Sequence, residues 1–185
     1  MELTQAIERS MAGDRGAYEH VVVAHTQAVV GLLRRLLGNL EDAREVAQDT
    51  FVRAYQNLHR YDPHRPLKPW LLRIARNLAY NHLRAQQRHP GAASLQPERT
   101  EPDRLASETP SPISVVLQDE QRSAVDLILG SLRPEFREVL VYRYMERLDY
   151  DEIALVMGIP VGTVKTWRFR AKEQFRRQAE GREIF

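Results

Sequence analysis

The sequence predicts an all-α protein with two small helical domains joined by a flexible linker, the second a helix-turn-helix domain. Apolar residues recur at three- and four-residue spacing through most of the 185 residues, and no long stretch alternates apolar and polar residues as a strand would. Five of the ten prolines lie at 90–112, where that spacing disappears. Near the C-terminus two helical patterns flank a glycine turn. We therefore predict domains at 1–89 and 113–185, separated by a linker at 90–112.

The composition limits which kinds of function and partner this protein can have. Because the chain has no cysteine, disulfides and thiol ligands are excluded, and a reducing compartment fits. The formal net charge is only +2, but the basic residues are clustered, which favours a nucleic-acid partner. No apolar run could span a bilayer and no secretion signal opens the chain, so we expect a cytoplasmic protein without membrane insertion.

An enzyme is a poor fit to this sequence. The six histidines, His25 among them, show no metal-binding spacing and are interpreted as surface or loop residues. There is no phosphate-cradling glycine loop and no cysteine nucleophile. We therefore expect no metal, no cofactor and no catalytic activity.

Three helices are predicted before residue 60. A short helix and a turn occupy the first twenty residues, and a second helix covers Tyr18–Leu37 and ends at Gly38. The third covers Glu41–His59, with acidic and amide side chains left on its outer side. That side is either a docking face for another protein or an ordinary solvated surface. Its central members are Asp42, Glu45, Gln48 and Asp49.

A proline-rich loop, Tyr61–Pro69, leads into a helix that begins at Trp70 and continues to Arg88. One face of this helix is basic and rich in amides. Cations, amides and an aromatic ring suit a single nucleic-acid strand, although a solvated basic face would look similar. Trp70 is either a core anchor or a ring that the loop presents. The polar face comprises Arg73, Asn77, Asn81, Arg84 and Arg88.

The C-terminal part predicts a helix-turn-helix. One helix stops at Gly130 and another runs on from Pro134. Asp149 is placed to cap the next helix, which ends at Gly158, and the last helix begins near Val161. By spacing, Val164, Trp167, Ala171 and Phe175 face inward, whereas Lys165, Arg168, Phe169, Lys172 and Arg176 face outward. The last helix is either a recognition helix or part of a basic hairpin that binds nothing.

With these pieces in place, the chain resembles the extracytoplasmic-function (ECF) group of bacterial RNA polymerase sigma factors over nearly its whole length. Residues 42–55 resemble the core-binding helix of that family, and residues 69–84 resemble its strand-opening region. Glu152-Ile-Ala, Gly158 and Gly162-Thr-Val-Lys-Thr resemble its second DNA-binding domain. Three positions depart from the family pattern: Trp167 stands where Arg is usual, Thr166 where Ser is usual, and Arg147 where many relatives have Gly.

The resemblance implies partners and roles. The partners are core RNA polymerase, promoter DNA as duplex and as single non-template strand, and an anti-sigma factor. The polymerase-binding residues would be Asp42, Glu45, Gln48 and Asp49. The residues acting at the minus-ten element, where the duplex opens, would be Arg65, Lys68, Trp70, Arg73, Asn77, Asn81 and Arg84. Those at the minus-thirty-five duplex would be Gly162, Thr163, Lys165, Thr166, Arg168, Phe169 and Arg170.

Two alternatives stay open at this point. A regulator that binds operator duplex without a sigma role would account for the helix-turn-helix, but it leaves the stretch around Trp70 without a task. Trp167 either packs inward, as its spacing suggests, or touches a thymine methyl group.

Overall fold

The computed structural model describes residues 2–88 and 124–181, and every regular element in these two ranges is helical, as predicted. The eight α-helices are α1 (Leu3–Met11), α2 (Arg15–Leu37), α3 (Leu40–Gln56), α4 (Leu67–Arg88), α5 (described part 124–131), α6 (Pro134–Leu140), α7 (Tyr150–Met157) and α8 (Val161–Glu180). A 3-10 turn, Leu58–Arg60, follows α3, and a π-helical turn, Val141–Met145, continues α6. The predicted linker at 90–112 and the start of the second domain at 113 lie outside the described residues.

The N-terminal domain is a bundle in which α2, α3 and α4 contact one another and α1 contacts α2. Local capping explains where its helices begin and end. Asp14 accepts a hydrogen bond from the backbone amide of Ala17, and Asn39 does the same for Asp42. Gly38 ends α2 in the left-handed conformation with φ of 86°, which confirms the predicted C-cap. The bundle core includes Val21, Val29, Leu32, Leu33, Ala43, Leu71, Leu72 and Ala75.

The start of α4 corrects the sequence prediction. The helix begins at Leu67, not at Trp70, so Lys68 and Pro69 belong to its first turn. Proline is accepted there because the first amides of a helix have no partner within it. The loop is correspondingly shorter, and its turn is closed by a hydrogen bond from the Arg65 amide to the Asp62 carbonyl oxygen.

His25 is a second correction. The residue is 6% exposed and lies inside the bundle, not on the surface. It comes four residues after Val21 and four before Val29, both buried, so helical periodicity places it on the core side of α2. Its Nδ1 lies 2.9 Å from the Val21 carbonyl oxygen, which satisfies one ring nitrogen.

The C-terminal domain folds around Tyr142, Ile128 and Ile153, all fully buried. Asp149 and Glu152 form the predicted capping box at α7, with both hydrogen bonds at 2.8 Å. Gly158, left-handed with φ of 68°, turns the chain from α7 into α8.

Arg147 also departs from ordinary backbone geometry. It adopts φ of 57°, the left-handed conformation that suits glycine best. The turn before α7 therefore keeps the geometry expected of a glycine although an arginine stands there.

The two domains touch in this structure. Helix α4 packs against α7, and Arg34 and Arg35 of α2 lie 3.5 Å from the Asp126 carboxylate of α5. Among the described residues, no helix is long and apolar enough to cross a membrane.

Candidate nucleic-acid interface

Helix α8 presents a polar and aromatic tip beyond the glycine turn. Lys165, Thr166, Phe169 and Arg170 are exposed, Phe169 at 69%, whereas Val164 and Ala171 are buried. This division follows the inward and outward spacing read from the sequence. The exposed tip can therefore reach a DNA groove without disturbing the core.

The start of α8 leaves backbone donors open. Pro160 is its N-cap residue, and no side chain caps the first turn. Gly162 is exposed, so its backbone amide can meet a phosphate, whereas the Thr163 amide donates to the Pro160 carbonyl oxygen at 2.9 Å. Thr166 is less free than predicted, because its hydroxyl donates to the Gly162 carbonyl oxygen at 3.0 Å.

Arg168 is held against an aromatic pair. Its guanidinium donates to the Tyr144 hydroxyl at 3.2 and 3.3 Å and lies 5.9 Å from the centre of the Tyr150 ring. The hydrogen bond to Tyr144 is the largest cause that raises the Arg168 pKa. Tyr144 is 53% exposed and was not selected from the sequence. Tyr144 therefore extends the candidate surface beside α8.

Trp167 packs inward, which decides between the two alternatives. It is half-buried against the core, and its ring centre lies 6.5 Å from that of Phe136. The inward spacing of Trp167 with Val164 and Ala171 already favoured this placement.

The predicted polar face of α4 exists as one surface. Arg73, Asn77, Asn81 and Arg84 are all exposed. Cations and amides in such a row suit a strand of nucleic acid.

Two other residues assigned to this surface have protein partners. Lys68 lies 2.7 Å from the Glu146 carboxylate and donates to the Glu146 carbonyl oxygen at 2.9 Å. Arg65 lies 3.5 Å from Asp62, and both side chains are well exposed. An exposed pair of this kind is weak, so Arg65 can leave Asp62 and bind another anion. Lys68, in contrast, is held by a residue of the other domain.

Trp70 braces the loop before α4. It is half-buried, and its ring centre lies 5.4 Å from that of Tyr61. The Tyr61 hydroxyl donates to the Arg65 carbonyl oxygen, so this aromatic pair fixes the shape of the loop. The remaining exposed part of Trp70 lies at the start of the α4 face.

The outer side of α3 carries an apolar residue that sequence reasoning missed. Glu45, Gln48 and Asp49 are exposed as predicted, and beside them Val52 is 54% exposed. A depression of about 200 Å³ there is lined by Asp49, Val52, Arg53, Gln56 and Leu78. The signal was visible in the sequence, because Val52 follows Gln48 by four residues on the outward side. We call Glu45, Gln48, Asp49 and Val52 the α3 surface.

Asp42 does not belong to that free surface. Its carboxylate accepts hydrogen bonds from Asn39 at 2.6 Å and from Gln86 at 3.0 Å, and His82 lies 3.3 Å away. Burial by itself would raise the Asp42 pKa, but these hydrogen bonds outweigh it and hold the pKa below its ordinary value. The side chain therefore ties the start of α3 to the end of α4.

A groove of about 710 Å³ separates the α4 face from the C-terminal domain. Asn77, Asn81 and Arg84 line one wall, and Met157, Ile159 and Trp167 line the opposite wall. At its base the Glu138 carboxylate, fully buried, accepts hydrogen bonds from Arg76 and Tyr80. No sequence signal links Glu138 to Arg76 and Tyr80, because it lies 62 and 58 residues after them along the chain.

Comparison with known proteins places both domains in one family. Residues 21–89 match the family described as Sigma-70 region 2, and residues 122–175 match Sigma-70, region 4. The chain is 35% identical over 172 residues to the RNA polymerase sigma-H factor of Pseudomonas aeruginosa, covering 91% of this chain and 89% of that protein. It is 34% identical over 170 residues to the ECF RNA polymerase sigma-E factor of Escherichia coli K12, covering 90% and 88% of the two chains.

Other relatives extend the match to almost the whole chain. The ECF RNA polymerase sigma factor SigW of Bacillus subtilis is 30% identical over 185 residues, covering 96% of this chain and 97% of that protein. Among solved structures, CnrH bound to the cytosolic domain of CnrY matches with a TM-score of 0.70 and 24% identity, over 96% and 97% of the two chains. That likeness shows the shared fold. Sequence identity over nearly full length, both matched regions and the helix-turn-helix geometry agree, and the chain belongs to the ECF family of RNA polymerase sigma factors.

Proposed function

We propose that this chain directs core RNA polymerase to promoters through three separate surfaces. The α3 surface binds polymerase, the exposed face of α4 binds the opened minus-ten strand, and the tip of α8 binds the minus-thirty-five duplex. One observation carries the proposal: a single chain presents a recognition helix and, on another domain, an exposed row of cations and amides. The first suits a duplex groove and the second suits a single strand.

The tip of α8 acts on duplex DNA. An exposed lysine and arginine supply phosphate and base-edge contacts, while Phe169 offers an apolar surface to a thymine methyl group. The uncapped first turn adds backbone donors for one phosphate.

The face of α4 acts where the duplex opens. Separating stacked bases costs roughly a few kcal/mol per step, which one small domain does not offset by itself. Docking on polymerase and gripping the upstream duplex through α8 raise the effective concentration of the α4 face at the opened strand. Asn77 and Asn81 then read base edges while Arg73 and Arg84 hold phosphates.

The α3 surface binds polymerase. Val52 supplies an apolar centre, and Glu45, Gln48 and Asp49 supply a polar and acidic surround. An acidic surround suits a basic surface on the partner. The chain acts in this account by binding alone, in the cytoplasm with polymerase and promoter DNA, and without a cofactor.

An anti-sigma factor is a further partner in this proposal. The sigma factor RpoE of Bartonella quintana was solved in complex with the anti-sigma factor NepR, and CnrH with CnrY. By analogy, a protein that covers the exposed faces of α3, α4 or α8 would hold this chain inactive.

The test is transcription with purified core polymerase on a genomic promoter library. We expect wild-type protein to confer initiation at a defined set of promoters, and Lys165→Ala to reduce it by about tenfold or more at low salt. The loss should shrink as salt rises, because a variant with one fewer phosphate contact releases fewer counterions. Lys172→Ala is the matched control, since it removes the same charge from the exposed side of α8 two turns later and should cost much less. Tight operator binding without polymerase and no promoter-specific initiation would instead show a regulator.

A further inference from the structure

Glu138, in the C-terminal domain, has a fully buried carboxylate whose charge is balanced mainly by hydrogen-bond donors of the N-terminal domain. Arg76 and Tyr80 of α4 both donate to it, while from its own domain the Tyr142 hydroxyl lies 3.4 Å away. A buried carboxylate is costly unless it is paired and hydrogen-bonded. Glu138 therefore favours the arrangement in which α4 and the C-terminal domain stay together.

The basic side of this contact belongs to α4. Arg76 and Tyr80 lie one position before Asn77 and Asn81, so they occupy the adjacent row of the same helix. From residue 61 to residue 88 the only acid is Asp62, so α4 has no carboxylate of its own to balance Arg76. Glu138 supplies that anion from the second domain.

The contact between the domains restricts access of DNA to the α4 face. With the domains together, Asn77, Asn81 and Arg84 face Met157, Ile159 and Trp167 across the groove. A DNA strand that approaches this face meets the wall formed by the C-terminal domain. Its phosphates must also compete with the Glu138 carboxylate for the basic side of α4.

We propose that Glu138 is an intramolecular latch that holds the free chain closed and lowers its affinity for single-stranded DNA. This inference rests on the proposed role of α4 in binding the opened strand. A buried ion pair suits a latch, because desolvation offsets much of its attraction and leaves the closed form only modestly favoured. Polymerase or DNA can then open the chain by binding the separated domains more tightly.

A distance measurement between the two domains tests whether the latch holds the free chain closed. The chain has no cysteine, so Val23→Cys on α2 and Gln174→Cys on α8, both exposed, accept two unique spin labels. We expect one narrow distance distribution for the otherwise wild-type chain. Glu138→Gln, which removes the charge and keeps the size, should broaden the distribution and lengthen the mean distance.

The effect on DNA is measured with a labelled single-stranded oligonucleotide of mixed sequence, in the absence of polymerase. If about nine-tenths of the free chain is closed, opening raises the apparent affinity about tenfold. Glu135→Gln is the matched control: it removes the same charge from α6, three residues earlier and from the wall of the same groove. It should leave both the distances and the affinity nearly unchanged.

Tyr80→Phe tests the latch from the other side. It removes one hydrogen bond to Glu138 without altering the C-terminal domain, so it should open the chain in the same direction but to a smaller extent. It also carries the test if circular dichroism shows that Glu138→Gln loses helix. A broad distribution in the wild-type chain, or unchanged distances and affinity in the variants that keep their helix, would overturn the latch.

The test of the latch and the test of the proposed function can fail independently. Wild-type transcription with core polymerase tests the sigma role and does not depend on Glu138. If the wild-type chain initiates normally but the distances do not change in Glu138→Gln, the latch is refuted and the sigma role stands. If the wild-type chain is closed and Glu138→Gln opens it, but no promoter is used, the sigma role is refuted and the latch stands.

Discussion

The imidazole of His25 lies inside the N-terminal bundle, where its Nδ1 contacts the Val21 carbonyl oxygen and only 6% of the residue is exposed. Burial, the largest cause, lowers the His25 pKa, since a buried imidazolium loses its hydration. The hydrogen bond to Val21 opposes this shift, and the positive charge of Lys68 adds to it. Burial thus favours the neutral form of the His25 ring in the folded protein.

The lowered pKa predicts a pH-dependent stability. The folded chain binds fewer protons than the unfolded chain below the ordinary histidine pKa of about 6.5, so its free energy of unfolding falls as the pH drops through the folded pKa. The slope from His25 cannot exceed about 1.4 kcal/mol per pH unit, the limit for one proton. Urea unfolding between neutral pH and pH of about 5 measures it.

His25→Asn should flatten this slope, because the amide does not titrate in that range. His20→Asn is the control, since His20 lies on the same helix and is exposed. An equal slope in wild type and His25→Asn would contradict the buried-histidine account.

At the scale of the element, α3 combines two kinds of polar residue that look alike in the sequence. Asp42 is committed to the fold through Asn39 and Gln86, whereas Gln48 and Asp49 are exposed beside Val52. Only the second kind is available to a partner. Substitution of Asp42 is therefore expected to act through stability, and substitution at Gln48 or Asp49 through binding.

The double variant Gln48→Lys with Asp49→Lys should weaken association with core polymerase by about tenfold or more, because like charges would then face the basic partner surface. Glu19→Lys with Gln27→Lys on the exposed side of α2 adds the same charge elsewhere and is the control. Association is measured by binding of labelled protein to core enzyme, and circular dichroism checks the fold. Equal binding by the double variant would exclude the α3 surface as the docking site.

At the scale of the whole molecule, three sets of ion pairs between described residues link the two domains, and they differ in burial. In the Glu138 link the carboxylate is fully buried, and its partners are side chains of α4. In the Lys68 link, the lysine donates both to the Glu146 carboxylate and to its carbonyl oxygen. The links between Asp126 and the two arginines of α2 are partly exposed at 3.5 Å. Exposed pairs contribute little, so the Asp126 links should matter least. The Lys68 link is more buried, but only the Glu138 link has a carboxylate without any exposure, so it should dominate.

Glu146→Gln should therefore open the chain much less than Glu138→Gln. The variant keeps the carbonyl oxygen as a partner for Lys68 and leaves no buried charge unpaired. The same spin-labelled chain measures the difference in distance distributions. If Glu146→Gln opened the chain as far as Glu138→Gln, closure would be a general property of interdomain charge and not of the Glu138 site.

Much of the fold could be predicted because its signals are local. The outward row of α4, the inward row of α8 and the glycine turn between α7 and α8 all follow from helical spacing and capping within a few residues. Where local signals conflict, prediction was wrong: Pro69 suggested loop, but the first turn of a helix accepts it. Polar character likewise misplaced His25, since one hydrogen bond suffices to bury its ring.

The sequence by itself determined the helical class, the helix-turn-helix and the polar rows of α4 and α8, since periodicity and capping act between neighbours along the chain. Only the tertiary structure decided that Asp42 binds α4, that Lys68 meets Glu146, and that Glu138 meets Arg76. The last two contacts join residues 78 and 62 positions apart, beyond the reach of any helical repeat. Such contacts depend on how whole helices pack, and they set which polar residues are free to bind a partner.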